Sequence, residues 1–199
     1  MTFRFCDETD LGFSWIVEEP VTRTAHALVH KGRVWFVDPV DWPEAIERAA
    51  HLAEPAAVLQ LIDRHNRDCA AVAERLNVPH LVAPPTVPES PFDVVKIKRS
   101  RRWQEVALWW PGERTLAVAE AIGTNTFYTG GKGRAGVHVL LRLTPPRKLA
   151  AYGPEHLLVG HGEGVHGPAA TAALREALRR SRRDLPRVLW KLPSVMRGG

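Results

Sequence analysis

The chain has 199 residues, 45% of them apolar, with 27 Lys and Arg against 22 Asp and Glu for a formal charge of +5. That length suffices for the core of one α/β domain, expected to span residues 1–199, and the ordinary composition excludes a disordered or fibrous chain. No run is long and apolar enough to span a membrane, the opening MTFRFCDETD is too polar for a signal peptide, and two cysteines, Cys6 and Cys69, make no disulfide framework, so a cytoplasmic protein is expected.

Residues 13–17 (FSWIV) and 24–30 (TAHALVH) are strand candidates, and Lys31-Gly32 turns the second into a hairpin with 33–37 (RVWFV). Pro39 ends that ladder, and Trp42-Pro43-Glu44 opens a helix to about Leu52. Residues 56–62 read as a buried strand, 68–76 as a helix with Cys69, Val72, Ala73 and Leu76 at helical spacing, and 78–82 as a short strand. The connector with Pro84, Pro85, Pro88 and Pro91 is read as a loop between two halves of one domain.

In the second half, 92–98, 104–110 and 115–119 are strand candidates, with a turn at Pro111-Gly112. Residues 122–134 (IGTNTFYTGGKGR) read as a glycine-rich loop. Residues 137–143 read as a short helix or an extended segment, and Pro145-Pro146 as the start of a helical turn. Residues 156–159 form a strand ending in Gly160-His161-Gly162. Residues 168–182 form a helix with Ala169, Ala172, Ala173, Leu174, Ala177 and Leu178 on its inner side, and 185–192 pack back onto the body. Two mixed β-sheets between helix layers account for this order, an α/β sandwich.

The positive charge gathers in two stretches: Lys96, Lys98, Arg99, Arg101 and Arg102, read as a basic loop, and Arg175, Arg179, Arg180, Arg182 and Arg183 on the last long helix. Such patches attract phosphates. A solvated helix face and a basic loop are the plainer reading, because no nucleic-acid motif accompanies Trp103.

Four segments in series carry something more specific. VWFVDPVD (34–41) ends a hairpin strand in an Asp-Pro pair. LIDRHNRDCAAVAERL (61–76) runs strand, polar loop, helix. ERTLAVAEAIGT (113–124) is a strand ending in an acid, and PEHLLVGHGEGV (154–165) a strand ending in Gly-His-Gly. In this order and spacing they resemble the metallo-β-lactamase-fold superfamily, with its His-x-His-x-Asp-His loop. The resemblance implies a four-layer αββα sandwich. It also implies a two-zinc or two-iron centre at the loop ends, which lowers the pKa of a bound water to about 7 for hydrolysis.

Carried over position by position, the motif is altered. Arg64 and Asn66 stand at the first two histidines, and no histidine lies between His80 and His138 to supply the third ligand near residues 101–103. Asp68 is kept, Cys69 replaces the next histidine, Glu120 stands for the bridging aspartate and His161 for the last histidine. Ligands of one metal are thus lost, while those of the other remain plausible donors. Two readings stay open. In one, Asp68, Cys69, Glu120 and His161 hold a single zinc or iron ion in an ester, thioester or phosphodiester hydrolase, with Asp68, Cys69 and His161 as catalytic candidates. In the other, preferred because a guanidinium repels a dication, there is no cofactor and Arg64 pairs with Asp68 or Glu120.

The preferred reading makes the chain a degenerate member of the superfamily, keeping a cleft for a small ligand or a protein partner. His65, Asn66, Glu163 and His166 are placed along that cleft, Asp38 is expected to orient the loop carrying Arg64, and Tyr128 and Lys132 come from the glycine-rich loop. Cys69 is alternatively a small buried residue or a thiol activated at a helix start, and Glu120 and His161 a structural hydrogen-bonded pair. Nucleic-acid binding through the basic stretches ranks below these, no membrane partner is expected, and a homodimer is left open.

Overall fold

The computed structural model describes residues 2–64 and 67–196. Its first sheet begins as an antiparallel meander of β1 (Thr2–Thr9), β2 (Gly12–Glu18), β3 (Arg23–His30) and β4 (Arg33–Val37). Helix α1 (Pro43–Leu52) then crosses to β5 (Glu54–Gln60), and α2 (Cys69–Leu76) to β6 (His80–Val82), both strands parallel to their neighbour. The second sheet is built from β7 (Asp93–Ser100), β8 (Trp103–Trp110), β9 (Thr115–Val118), β12 (His156–Val159) and β13 (Val165–His166), in the order β13-β12-β9-β8-β7. A short ladder of β10 (Ile122–Gly123) with β11 (Gly136–Val137) flanks α3 (Thr126–Thr129), and α4 (Pro168–Arg180) and α5 (Leu185–Met196) follow.

The layering follows from strand periodicity. Along β4, Trp35 and Val37 point into the space between the sheets, while Val34 and Phe36 point to the other face, where α1 contributes Ile46 and α2 contributes Val72. A sheet buried on both faces needs apolar residues at every position, and RVWFV supplies them. The inner side of α4 (Ala170, Ala173, Leu174, Ala177 and Leu178) closes the far side of the second sheet. The result is helix, sheet, sheet, helix. Among the described residues no helix is long and apolar enough to cross a membrane. Cys6 and Cys69 are both buried free thiols.

Three segments depart from expectation. The polar opening is a strand: β1 is an edge, so Phe3 and Phe5 on one face suffice, seated on Trp42 at ring distances of 5.3 and 4.5 Å. The glycine-rich segment holds the short helix α3, because the Asn125 side chain accepts a hydrogen bond from Tyr128 N and Gly130 ends the turn in the left-handed region at φ +59°. The basic stretch is largely strand rather than loop, its lysines lying on the exposed edge β7, where charge discourages pairing with another chain.

One junction matters for the site. An isolated bridge joins Ile62 to Glu105, Val106 N donates to Leu61 O (2.9 Å), and Asp63 and Gln104 exchange two further bonds. The loop after β5 is therefore fastened to β8, so one sheet positions it against the other.

Candidate functional site

Strand ends from both sheets meet at one edge of the sandwich, where β3 begins, β4 stops at Asp38, and β9 and β12 run into Glu120 and Gly160-His161. Arg67 lies at their centre. Its Nη1 donates to the carbonyls of Thr24 (2.5 Å) and Asp38 (2.8 Å), and its Nη2 donates to the carbonyl of Gly160 (2.8 Å). Thr24 N donates to the same Gly160 oxygen at 2.8 Å. Only glycine fits at 160: a Cβ there would stand 2.4 Å from Ala119 O and 2.9 Å from Arg67 Nη2.

The residues beside Arg67 serve the same junction. Buried Asp38 accepts from Leu61 N at 2.9 Å; burial pushes its carboxyl pKa up, and the Arg67 charge pulls it back. Asp68 Oδ2 accepts from Asp41 N at 2.8 Å. Cys69 opens α2 and packs against the outer face of the first sheet with Val72 and Ala73. Burial pushes its thiol pKa well above the ordinary value, away from the thiolate that a metal ligand or nucleophile needs.

A second cluster forms around Glu120. His161 Nδ1 lies 2.7 Å from the Thr22 carbonyl, which can only accept, so Nδ1 carries a proton. Nε2 then faces Glu120 Oε1 at 2.5 Å, and a proton must lie between them, giving imidazolium with carboxylate or imidazole with carboxylic acid. Tyr128 donates its hydroxyl to Glu120 Oε2 (3.0 Å) and stacks on the His161 ring at 5.5 Å. Burial, then the Glu120 charge, holds that phenol well above its usual pKa, so it stays a neutral donor. His138 Nε2 is 3.7 Å from Glu120 Oε2 and its ring meets Trp103 edge-on. Fully buried Arg142 anchors α3 by donating to the carbonyls of Tyr128 and Ser181.

Beneath them, buried Glu105 accepts from Glu120 N and Ala121 N at Oε1 and from Trp103 Nε1 at Oε2, each at 2.8 Å. Burial pushes its pKa up to about 7 although these bonds oppose the shift. Its role is to set where Glu120 leaves the strand.

The sequence-predicted residues therefore fall into separate places. Glu120 and His161 come together; Asp68 and Cys69 face other partners. Among the described residues no three His, Cys, Asp or Glu side chains are grouped to hold one ion. Arg64 forms no ion pair with Asp68 or Glu120. Its guanidinium lies over the Trp103 ring at 5.1 Å, because the Asp63–Gln104 bonds bring this part of the loop against β8. The guanidinium at the strand ends belongs instead to Arg67. His65 and Asn66 lie outside the described residues.

Glu163 pairs with Arg4 at 2.5 Å, and His166 Nε2 lies 2.9 Å from Asp7 Oδ1. Burial opposes ionisation of Asp7, but hydrogen bonds from His166 and Gly164 N hold its carboxyl below the usual range. Glu163 and His166 line an open cleft of about 530 Å³ with Arg4, Thr22, Asn125 and Arg134. Lys132 is exposed, outside the Glu120 cluster. Arg67, Glu105 and His138 are absent from the sequence reading. Glu105 had a legible signal, a lone acid inside the apolar run WQEVALWW, which must find donors if buried. Arg67 and His138 had none.

This architecture is the metallo-β-lactamase fold. The chain is similar to a metallo-β-lactamase from Pontibacter korlensis (9% identity over 89% of this chain and 99% of that one, TM-score 0.62) and to the DIM-1 metallo-β-lactamase (13% identity, 90% and 98%, TM-score 0.59). VMB-1 is similar to the same degree, at 9% identity with a TM-score of 0.60 over 90% of this chain and 97% of that one. No protein-family profile and no curated protein matches the sequence. At such low identity the likeness establishes the fold.

Two predictions follow from this geometry. Arg67→Ala removes the donor to the Thr24 and Asp38 carbonyls and one of the two donors to the Gly160 carbonyl, and should lower the unfolding free energy by about 1–3 kcal/mol in urea titration, with Arg67→Lys restoring only part of it.

The second concerns pH. Burial pushes His26, whose Nδ1 is 2.7 Å from Ser14 Oγ, down to about 4 from 6.5, and pushes Glu105 up to about 7 from 4.5. At Glu105 the folded state holds the extra proton, so stability is full below pH 4.5 and lost as pH rises through 7. At His26 the unfolded state holds it, so stability is full above pH 6.5 and lost as pH falls through 4. The two oppose each other between pH 4.5 and 6.5. The stability difference between wild type and His26→Asn should therefore grow by about 3 kcal/mol with rising pH, and that between wild type and Glu105→Gln shrink by about as much.

Proposed function

We propose that this chain is a metallo-β-lactamase-fold protein that works without the two-metal centre and binds a small ligand or a partner in the remaining cleft. The observation that carries this reading is the Arg67 guanidinium, bonded to three strand-end carbonyls from both sheets. A fixed cation there supplies charge and cross-sheet linkage without a bound ion, and it repels a dication brought nearby. The direct Glu120–His161 bond supports the same reading, since each group satisfies the other.

In this reading the absence of histidines at positions 64 and 66 and near residues 101–103 is compensated within the loop by Arg67. The Thr22, Asn125, Arg134, Glu163 and His166 cleft, which carries both signs of charge, is the place for a small polar ligand. The buried free thiols suit a reducing cytoplasm.

Elemental analysis of protein purified without chelator tests the proposal. The expected outcome is a trace level of zinc and iron, and a melting temperature that neither EDTA nor added zinc moves. Near-stoichiometric metal, lost in His161→Ala, would overturn it.

A further inference from the structure

A second concavity lies away from the Glu120–His161 pair, between the β7–β8 hairpin and the Ala83-Pro84-Pro85 segment, with a volume of about 350 Å³. Its polar wall is Lys96, Lys98, Arg99 and Gln104. Strand alternation alone would turn Lys98 and Arg99 to opposite faces. The register shift lies before Lys98, between it and Lys96; Lys98 and Arg99 both line the pocket, and the Lys98 ammonium also lies over the Trp103 ring at 5.6 Å.

This cationic wall has no acidic counterpart. Among the described residues Lys96, Lys98 and Arg99 form no ion pair, although most other arginines near an acid do. Lys148 lies close enough to feel the wall: burial, then the Lys96 charge, pushes its ammonium below the usual pKa. The acid that reaches the pocket is Glu105, and both its oxygens are already committed to Glu120 N, Ala121 N and Trp103 Nε1. Positive charge is therefore concentrated in a concave site, where it focuses the field on an incoming anion. The rest of the lining is apolar: Pro84 and Pro85 across from the hairpin, and Val94 and Val106 on it.

We propose that this pocket binds a small organic phosphate: Lys96, Lys98 and Arg99 take the phosphate, and the proline-valine wall takes the apolar or ring-bearing body. Cations lining one concavity suit a dianion better than a single carboxylate, and the arginine fork matches two phosphate oxygens. The volume falls within the range of small-molecule sites and admits a body of about mononucleotide size. The pocket is walled by prolines on one side, whereas a passing nucleic-acid strand needs an open basic groove with bases stacked along it.

Calorimetric titration of the full chain with adenosine monophosphate, ribose 5-phosphate and inorganic phosphate tests this, with a short single-stranded oligonucleotide as the macromolecular arm. At least one organic phosphate should bind one per chain, more tightly than inorganic phosphate, and more weakly as salt rises. Lys96→Ala and Arg99→Ala should each weaken it about tenfold or more without moving the melting temperature, since both side chains are exposed and unpaired. The proposal is overturned if no organic phosphate binds at millimolar concentration, if none binds more tightly than inorganic phosphate, if binding survives both substitutions, or if only the oligonucleotide binds. None of these outcomes bears on metal content, so this test and that of the metal-free reading fail separately.

Discussion

The edge of the sandwich depends on one half-buried cation reaching three carbonyl oxygens. Backbone carbonyls at strand ends have no ladder partner, and leaving them buried and unpaired is costly. Arg67 resolves this for Thr24, Asp38 and Gly160 together, with the fork of a single guanidinium. Lysine would match the three less well, because its donors lie on one nitrogen while the guanidinium reaches them from two. The glycine at 160, the raised carboxyl of Asp38 and the turn that sends Cys69 into the outer core all fit around that side chain.

The Glu120 cluster is organised in the same manner, with each polar group answered by a neighbour. The Thr22 carbonyl fixes the His161 tautomer, His161 and Tyr128 hold the two Glu120 oxygens, and Glu105 holds the Glu120 backbone. Buried networks of this type are stiff because each bond restricts the next.

Much of the fold was legible in the sequence because its signals are local. Lys31-Gly32 has the left-handed backbone a tight hairpin needs, at φ +47° and +74°, and RVWFV, Pro43 and the alanine-rich face of 168–180 each announce their element. The strand β1 was not legible, because an edge strand needs apolar residues on only part of one face. Helix α3 was hidden because its cap, Asn125, stands in a glycine-rich stretch. Of the site, the ligand loop could be located, and the Glu120–His161 pairing anticipated, from the order of four segments. Which arginine enters the junction could not. Arg64 and Arg67 are three positions apart in sequence, and the Asp63–Gln104 bonds, a contact 41 residues long in sequence, hold Arg64 against β8.

The long reach of these contacts also bears on synthesis. Residues 2–82 contain every strand of the first sheet, so that sheet can be complete while the rest of the chain is still emerging. Asp7 then waits for Gly164, 157 residues later, and Arg67 waits for Gly160, 93 residues later. Until those residues arrive, Asp7 lacks its Gly164 and His166 partners and the Arg67 guanidinium has only the Thr24 and Asp38 carbonyls, and a polar group without its partner stays hydrated. The last bonds at this edge of the sandwich thus become available only once the second half has been made.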